Sequence, residues 1–231
     1  QTIEKLVKNI SNILLTKYLI FMIENLINKL DVKIHKNSLS NDEINEIIKL
    51  IKKENVHTIL SKLSINLIKE YLNLAIKSDN IFLFTCKIEK KIIGHALFAK
   101  KPQFLISEFD SLKFKILLNL IKKIKIFQLI NIIISIIKLD LILLDRKNKD
   151  LIKNSLNLNL LSINREYQSK GIGKIFFENS IKIIYQNYYK FNLITCEAPT
   201  INASNFYEKK LNFKLIGKKI ILFNNFFVFL K

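Results

Sequence analysis

The sequence predicts an α+β fold, and three observations carry that expectation. Segments with apolar residues at helical spacing alternate with segments of two-residue period. Two of the latter, "IFLFTCKIE" and "KIIGHALFAK", adjoin across the charged "KIEKK" turn and read as a hairpin. A further strand-like run, residues 156–163, leads through a glycine-bearing turn straight into a helix-period stretch. Hydrophobic residues make up 49% of the 231, enough for a sizeable core and against global disorder.

Each element follows in order. Residues 2–30 hold no glycine or proline and read as an amphipathic helical extension. "LDVKIHK" alternates as a short strand. "SNDEINEIIKLIKKE" opens with Ser40 or Asn41 as cap and acids in the first turn, a helix start. A second helix is expected over about 62–78, ending near "KSDN". The hairpin follows and Pro102 closes it. Residues 104–145 read as one or two helices rich in Leu, Ile and Lys, in which "LDLILL" also suits a strand. "NKDLIKNSLNLN" is a polar connector. No repeat and no Pro/Gly/Ser linker interrupts the chain, so 31–231 is expected as one domain behind a 1–30 extension, with 104–150 inserted.

In the strand 156–163, Leu156, Leu158 and Leu160 alternate with Ser155, Asn157 and Asn159; then Leu161 and Ile163 take the apolar phase. Such a slip fits either a β-bulge or a strand buried on both faces.

The net charge of +19 suggests a polyanionic partner. Yet all but Arg146 and Arg165 of the 38 basic residues are lysine, and the aromatic residues do not interleave with them. Phosphate and base recognition favours arginine forks and stacking platforms, so no specific nucleic-acid partner is expected. The longest uncharged apolar run, 126–137, is too short to span a bilayer. Its flank of Lys122, Lys123 and Lys125 allows peripheral membrane contact, against a buried or partner-binding helix as the simpler reading. Cys86 and Cys196 sit in strand-like runs and read as reduced, buried thiols; with no leader evident, a cytoplasmic location is expected. The chain begins at Gln1 rather than methionine, which leaves room for an upstream segment. Three scattered histidines give no metal-ligand cluster.

Two of only four glycines, Gly171 and Gly173, fall one residue apart in "NREYQSKGIGK". After them Phe177, Ile181, Ile184 and Tyr188 form a helical stripe. A helix start leaves backbone N–H groups unpaired and carries partial positive charge, and glycine bares that backbone to an anion. A phosphate ligand is the inference. Ile175 stands where a Walker A loop needs Ser or Thr, and Phe176 where a dinucleotide fingerprint needs its third glycine.

What remains, Gln168-Ser169-Lys170-Gly171-Ile172-Gly173, resembles the Gln/Arg-x-x-Gly-x-Gly/Ala loop of the GNAT acyltransferase superfamily. "LLSINREYQSKGIGK" resembles its strand-to-loop signature, "ASNFYEKKLNF" its second signature, and "KIIGHALF" its central hairpin strand with Gly94 in place. The resemblance covers roughly 31–220. It implies a three-layer sandwich whose mixed, mostly antiparallel sheet has helices on both faces. It implies acetyl-CoA as co-substrate, its pyrophosphate on the loop from Gln168 to Lys174. The pantetheine would pair with strand backbone near Leu161 and Ile163, where that strand splays from a second at about 191–197.

The resemblance also implies residue roles. Tyr207 matches the tyrosine that donates a proton to the departing thiolate; the bland alternative is a core aromatic. Glu197 is the leading general base, with Glu108, Asp110 and His95 behind it. Three departures stand out. Asn212 replaces a glycine, as the next best residue for a left-handed helix end. Thr200 replaces a pantetheine-contacting asparagine, for which Asn202 and Asn205 are substitutes. Asn157 stands where some members carry a catalytic glutamate. The expected activity is N-acetyl transfer to a primary amine on a small molecule or peptide, such as an amino sugar, a small amine or a protein N-terminus. A non-catalytic CoA-binding domain, or a basic protein contacting membrane surface or nucleic acid, are the alternatives.

Overall fold

A computed structural model of the chain describes residues 15–18, 20–121, 146–221 and 224–231. The expectations for 2–14, for the apolar run 126–137 and for "LDLILL" fall outside the described residues. Residues 15–18 and 20–28 are helical. There follow β1 (Asp31–His35), α1 (Asn41–Glu54), α2 (Ile59–Lys62), α3 (Ile65–Lys77), β2 (Ile81–Ile88) and β3 (Lys91–Ala99). Then come α4 (Phe104–Ser107), α5 (Lys113–Ile121), α6 (Arg146–Lys153), β4 (Leu156–Ile163) and α7 (Ile172–Asn187). The chain closes with β5 (Ile194–Ala198), α8 (Ile201–Asn205), β6 (Lys214–Ile221) and β7 (Asn224–Leu230).

The strands form one sheet in the order β1-β2-β3-β4-β5-β7-β6. All neighbours run antiparallel except β4 and β5.

Local sequence explains where the helices begin. Of the two cap candidates Ser40 serves: its hydroxyl accepts from the Glu43 amide at 3.2 Å, and the Glu43 carboxylate accepts from the Ser40 amide at 3.0 Å. That reciprocal capping box satisfies two otherwise orphaned donors. The helix expected over about 62–78 is α3, and the one-turn α2 precedes it. Thr58 caps α2 and Ser64 caps α3, and Leu63 between them is extended. Each hydroxyl accepts from a backbone amide of the turn ahead of it and so fixes where its helix starts.

Helices cover both faces of the sheet, giving three layers. On one face Ile47 and Ile51 of α1 and Ile68 and Leu72 of α3 pack with Leu83 and Leu97 of the sheet. On the other, Phe176, Phe177 and Ile184 of α7 pack with Phe84, Phe98 and Phe229. Each such fully buried side chain contributes roughly 1.5–3 kcal/mol. The stripe expected on α7 is broader than its sequence pattern: Phe176 and Ser180 are fully buried with it, whereas Tyr188, at the helix end, is 45% exposed.

The phase slip in β4 is a bulge. Leu160 pairs with Leu97 and Leu158 with Phe98, leaving Asn159 without a partner on β3. A bulge bends its strand and increases the local twist. β5 stays with β4 through Leu156↔Ile194, Asn157↔Thr195 and Leu158↔Cys196, and the two part where the bulge begins. The closed end is held by buried polar groups. The Ser155 and Thr195 hydroxyls lie 2.7 Å apart, and the Asn157 amide donates to the Thr195 hydroxyl at 3.2 Å. β5 begins at Ile194 rather than 191; Phe191 instead packs edge-on against Tyr185 at 5.4 Å. Behind the bulged strand, Gly94 lets β3 approach closely. A Cβ there would stand 2.5 Å from Ile163 Cδ1 and 2.8 Å from the Ser162 carbonyl oxygen.

Candidate active site

The parting of β4 and β5 opens into a cleft of about 340 Å³. Asn159 and Leu161 reach it from β4 and Glu197 from β5. Thr200, Ala203 and Tyr207 close it from the helical segment beyond β5. The structure thus brings Leu161, Glu197 and Tyr207, far apart in sequence, to one place.

Tyr207 lies on a π-helical turn, Phe206–Lys210, that continues α8. Insertions of this kind re-aim side chains and recur at functional sites. The ring is 6% exposed and packs against Phe213 and Phe229, with centroids at 5.8 and 5.9 Å. Burial, then the neighbouring Cys196 and Glu197, raise its phenol well above the ordinary tyrosine range. The hydroxyl therefore keeps its proton at neutral pH, the state a proton donor needs. Asn212 ends the segment at φ 57°, the left-handed conformation expected of it.

The glycine loop stands at the end of β4. The Gln168 amide donates to the Ile163 carbonyl at 2.7 Å, tying loop to strand. Ser169 and Gly171 take positive φ, 61° and 77°. The Lys170 ammonium donates to the Glu166 carbonyl at 2.8 Å and sits over the Tyr167 ring. No side chain caps the start of α7. A Cβ built on Gly171 meets no atom within 4 Å, whereas one on Gly173 faces Phe206 at 3.4 Å. Gly171 thus gives the turn its hand and an open approach to the helix start; Gly173 lets α7 lie close to Phe206. The Ile172 side chain is buried, leaving its backbone for any ligand, and Lys174 is exposed near Glu178 at 3.9 Å. An uncapped helix start beside an open glycine suits a phosphate group, so the residues present fit the pyrophosphate of a CoA ester.

Other expected residues lie elsewhere. Thr200 lines the cleft while its hydroxyl caps α8 on the Ala203 amide at 3.2 Å; Asn202 and Asn205 are not among the cleft-lining residues. Three of the four base candidates also lie away from it. Glu108 accepts from the Asn80 amide at 2.7 Å, and Asp110 pairs with Lys113 at the surface. His95 is fully buried on β3, with neither ring nitrogen meeting a hydrogen-bond partner among the described residues, and burial pushes it down to about 4. Glu197 alone of the four reaches the cleft. Cys86 and Cys196 are free and buried, and burial raises both thiols, Cys86 to about 12.

The opposite wall came from residues with no motif to announce them. Glu54, Asn55 and His57 follow from the end of α1, and Tyr71 from α3. Tyr71 stacks on Phe109 at 4.0 Å and receives the Asn159 amide at 3.4 Å. Only Asn159 had a sequence signal, the phase slip itself. Among the described residues there is no group of three or more potential metal ligands, and no helix is long and apolar enough to cross a membrane.

A seven-stranded sheet in this order, parted between its fourth and fifth strands beside a glycine helix start, is the fold of the GNAT N-acetyltransferases. Solved structures of that class superpose on 87% of this chain. A polyamine N-acetyltransferase of Drosophila melanogaster, described as forming N-acetylagmatine, matches over 99% of its own length with a TM-score of 0.56 and 9% identity. An agmatine N-acetyltransferase matches over 99% of its length at 0.56 and 10% identity. A GNAT-family protein from Desulfovibrio desulfuricans matches over 98% at 0.51 and 8% identity. At such identities the likeness is one of fold. No protein-family profile and no curated protein sequence matches the chain.

Proposed function

We propose that the protein is an N-acyltransferase that moves an acetyl group from acetyl-CoA to a primary amine. The observation that carries this is the cleft itself: a parted pair of strands with a buried, protonated tyrosine and a carboxylate on its walls, beside an uncapped glycine helix start. Acetyl-CoA supplies a thioester whose acyl carbon an amine can attack, forming a C–N bond as the C–S bond breaks. The amide groups at the start of α7 hold the pyrophosphate, and the edge of β4 beyond Leu158, where pairing with β5 has ended, lies along the path of the pantetheine. Glu197 accepts the proton that the amine sheds, directly or through water. Tyr207 donates one to the departing sulfur. Agmatine and polyamines, named for two of the structural neighbours, favour a small amine over a sugar or a protein N-terminus.

Thermal melting with acetyl-CoA tests the binding half. Ligand at a hundredfold over its dissociation constant should stabilise the fold by roughly 2.7 kcal/mol. Release of free thiol in the presence of candidate amines tests the chemistry. A melt unmoved by saturating acetyl-CoA would sink the proposal. Binding without thiol release would leave a non-catalytic CoA domain, which the amide at Asn157 and the threonine at Thr200 favour.

A further inference from the structure

The walls of the cleft differ in charge from the rest of the molecule. The chain carries 38 lysines and arginines against 19 acids. Yet the residues lining the cleft include two carboxylates, Glu54 and Glu197, and no lysine or arginine. The two stand on opposite sides of the parting, Glu54 at the end of α1 above β3 and β4, Glu197 on β5.

Glu54 is held unlike a surface acid. Its side chain is 8% exposed, and its ion-pair partner among the described residues, the largely exposed Lys53, is 4.0 Å away. Its closer donors are neutral: the Arg165 amide at 3.2 Å and the Gln168 side-chain amide at 3.5 Å. Hydrogen bonds from neutral groups fix a carboxylate in place and leave its charge uncancelled. A largely desolvated carboxylate at a cleft wall is a place for a cation. Besides the two acids the lining carries the apolar side chains of Leu60, Leu63, Ile116 and Phe226.

Resting on the acyltransferase reading, we infer that the acceptor is a small dicationic amine: two ammonium groups joined by a short methylene chain. Glu54 holds the far ammonium, which stays protonated throughout. The apolar stretch covers the methylenes. The near amine gives its proton to Glu197 and attacks, so one amide and one thiol are formed for each diamine consumed. A monoamine leaves Glu54 without its partner. A carboxylate-bearing amine such as lysine brings a like charge into the cleft, and an amino sugar sets hydroxyls against apolar wall.

The test compares 1,4-diaminobutane, 1-aminobutane, lysine and glucosamine by acetyl-CoA-dependent thiol release. The diamine should exceed the monoamine in kcat/KM by at least about tenfold, chiefly through KM, and added salt should narrow the gap. Glu54→Gln keeps a hydrogen-bonding side chain of the same shape and should bring the diamine down towards the monoamine. If that variant does not fold, the wild-type ratio and its salt dependence decide. Equal use of both amines, or preference for lysine or glucosamine, would overturn the inference while leaving the acyltransferase reading intact. No acetyl-CoA-induced thermal shift and no thiol release with any amine would overturn both.

Discussion

His95 gives the structure a measurable dependence on acidity. Its imidazole is completely buried between β2 and β4, opposite Thr85 and Ser162, and neither nitrogen meets a partner among the described residues. Burial lowers it from 6.5 to about 4, so the folded protein resists protonating a group that the unfolded chain protonates readily. The stability attached to the neutral ring is complete above pH 6.5 and is lost as pH falls towards 4. At about 1.4 kcal/mol per unit, the loss between pH 7 and pH 5 is roughly 2 kcal/mol. His35, also lowered by burial, adds to the loss in the same direction. Glu43 acts lower down. Burial opposes its charge, but hydrogen bonds from Lys87 and the Ser40 amide bring it to about 2, so its contribution persists until pH falls below 4.5. His95→Leu removes both orphaned nitrogens at similar volume. It should raise stability at pH 7 by roughly 1–2 kcal/mol and take about 2 kcal/mol out of the decline to pH 5. Urea unfolding of both proteins at the two pH values, with equal slopes, measures each quantity. Parallel pH dependences would refute the reasoning, since they would mean that the native ring takes up its proton as freely as the unfolded one.

Further substitutions probe the site and its frame. Tyr207→Phe keeps the ring packing and removes the hydroxyl; single-turnover acetyl transfer should slow by roughly 10²- to 10⁴-fold with CoA affinity little changed, and an unchanged rate would remove Tyr207 from the mechanism. Gly171→Val should fold, at a cost of about 1–2 kcal/mol for its left-handed φ, and lose at least about tenfold in acetyl-CoA affinity by calorimetry. Gly173→Val should show its loss first in thermal stability, because the added carbons press on Phe206; unchanged melting would exclude that packing role. Gly94→Ala should cost at least about 1–3 kcal/mol in denaturant unfolding, since the Ser162 carbonyl it meets is backbone and cannot turn aside.

Local chemistry was the legible part of this chain. Ser40 and Glu43 announce a helix start by spacing alone, and the slip of apolar phase at Leu161 marks a strand that is either bulged or buried on both faces, because both depend on residues within a few positions of one another. The helix expected over about 62–78 is α3, with Ser64 as its cap. The cleft was half visible. Glu197 and Tyr207 follow from the resemblance, but Glu54 and Tyr71 lie more than eighty positions before β4 and carry no pattern of their own. They become part of the cleft only when α1 and α3 settle on the sheet. His95, a base candidate behind Glu197, carries the same lesson. A histidine on a strand names a chemistry, whereas its use depends on its surroundings, and here the ring is completely buried and is not among the cleft-lining residues.

The bulge at Asn159 is a single residue. With that residue removed, the strand would read Leu156, Asn157, Leu158, Leu160, Leu161, Ser162, Ile163. Leu156, Leu158, Leu161 and Ile163 would then fall on one face in strict alternation, with Asn157, Leu160 and Ser162 on the other. Every side chain would keep its side of the sheet. What would go is the bend that coincides with the parting of β4 from β5. In the language of the gene, that bend is the work of one in-frame codon, set where the pairing of β4 with β5 ends. An ancestor of such a protein could therefore have gained a place for a ligand by a single insertion, without rewriting either core.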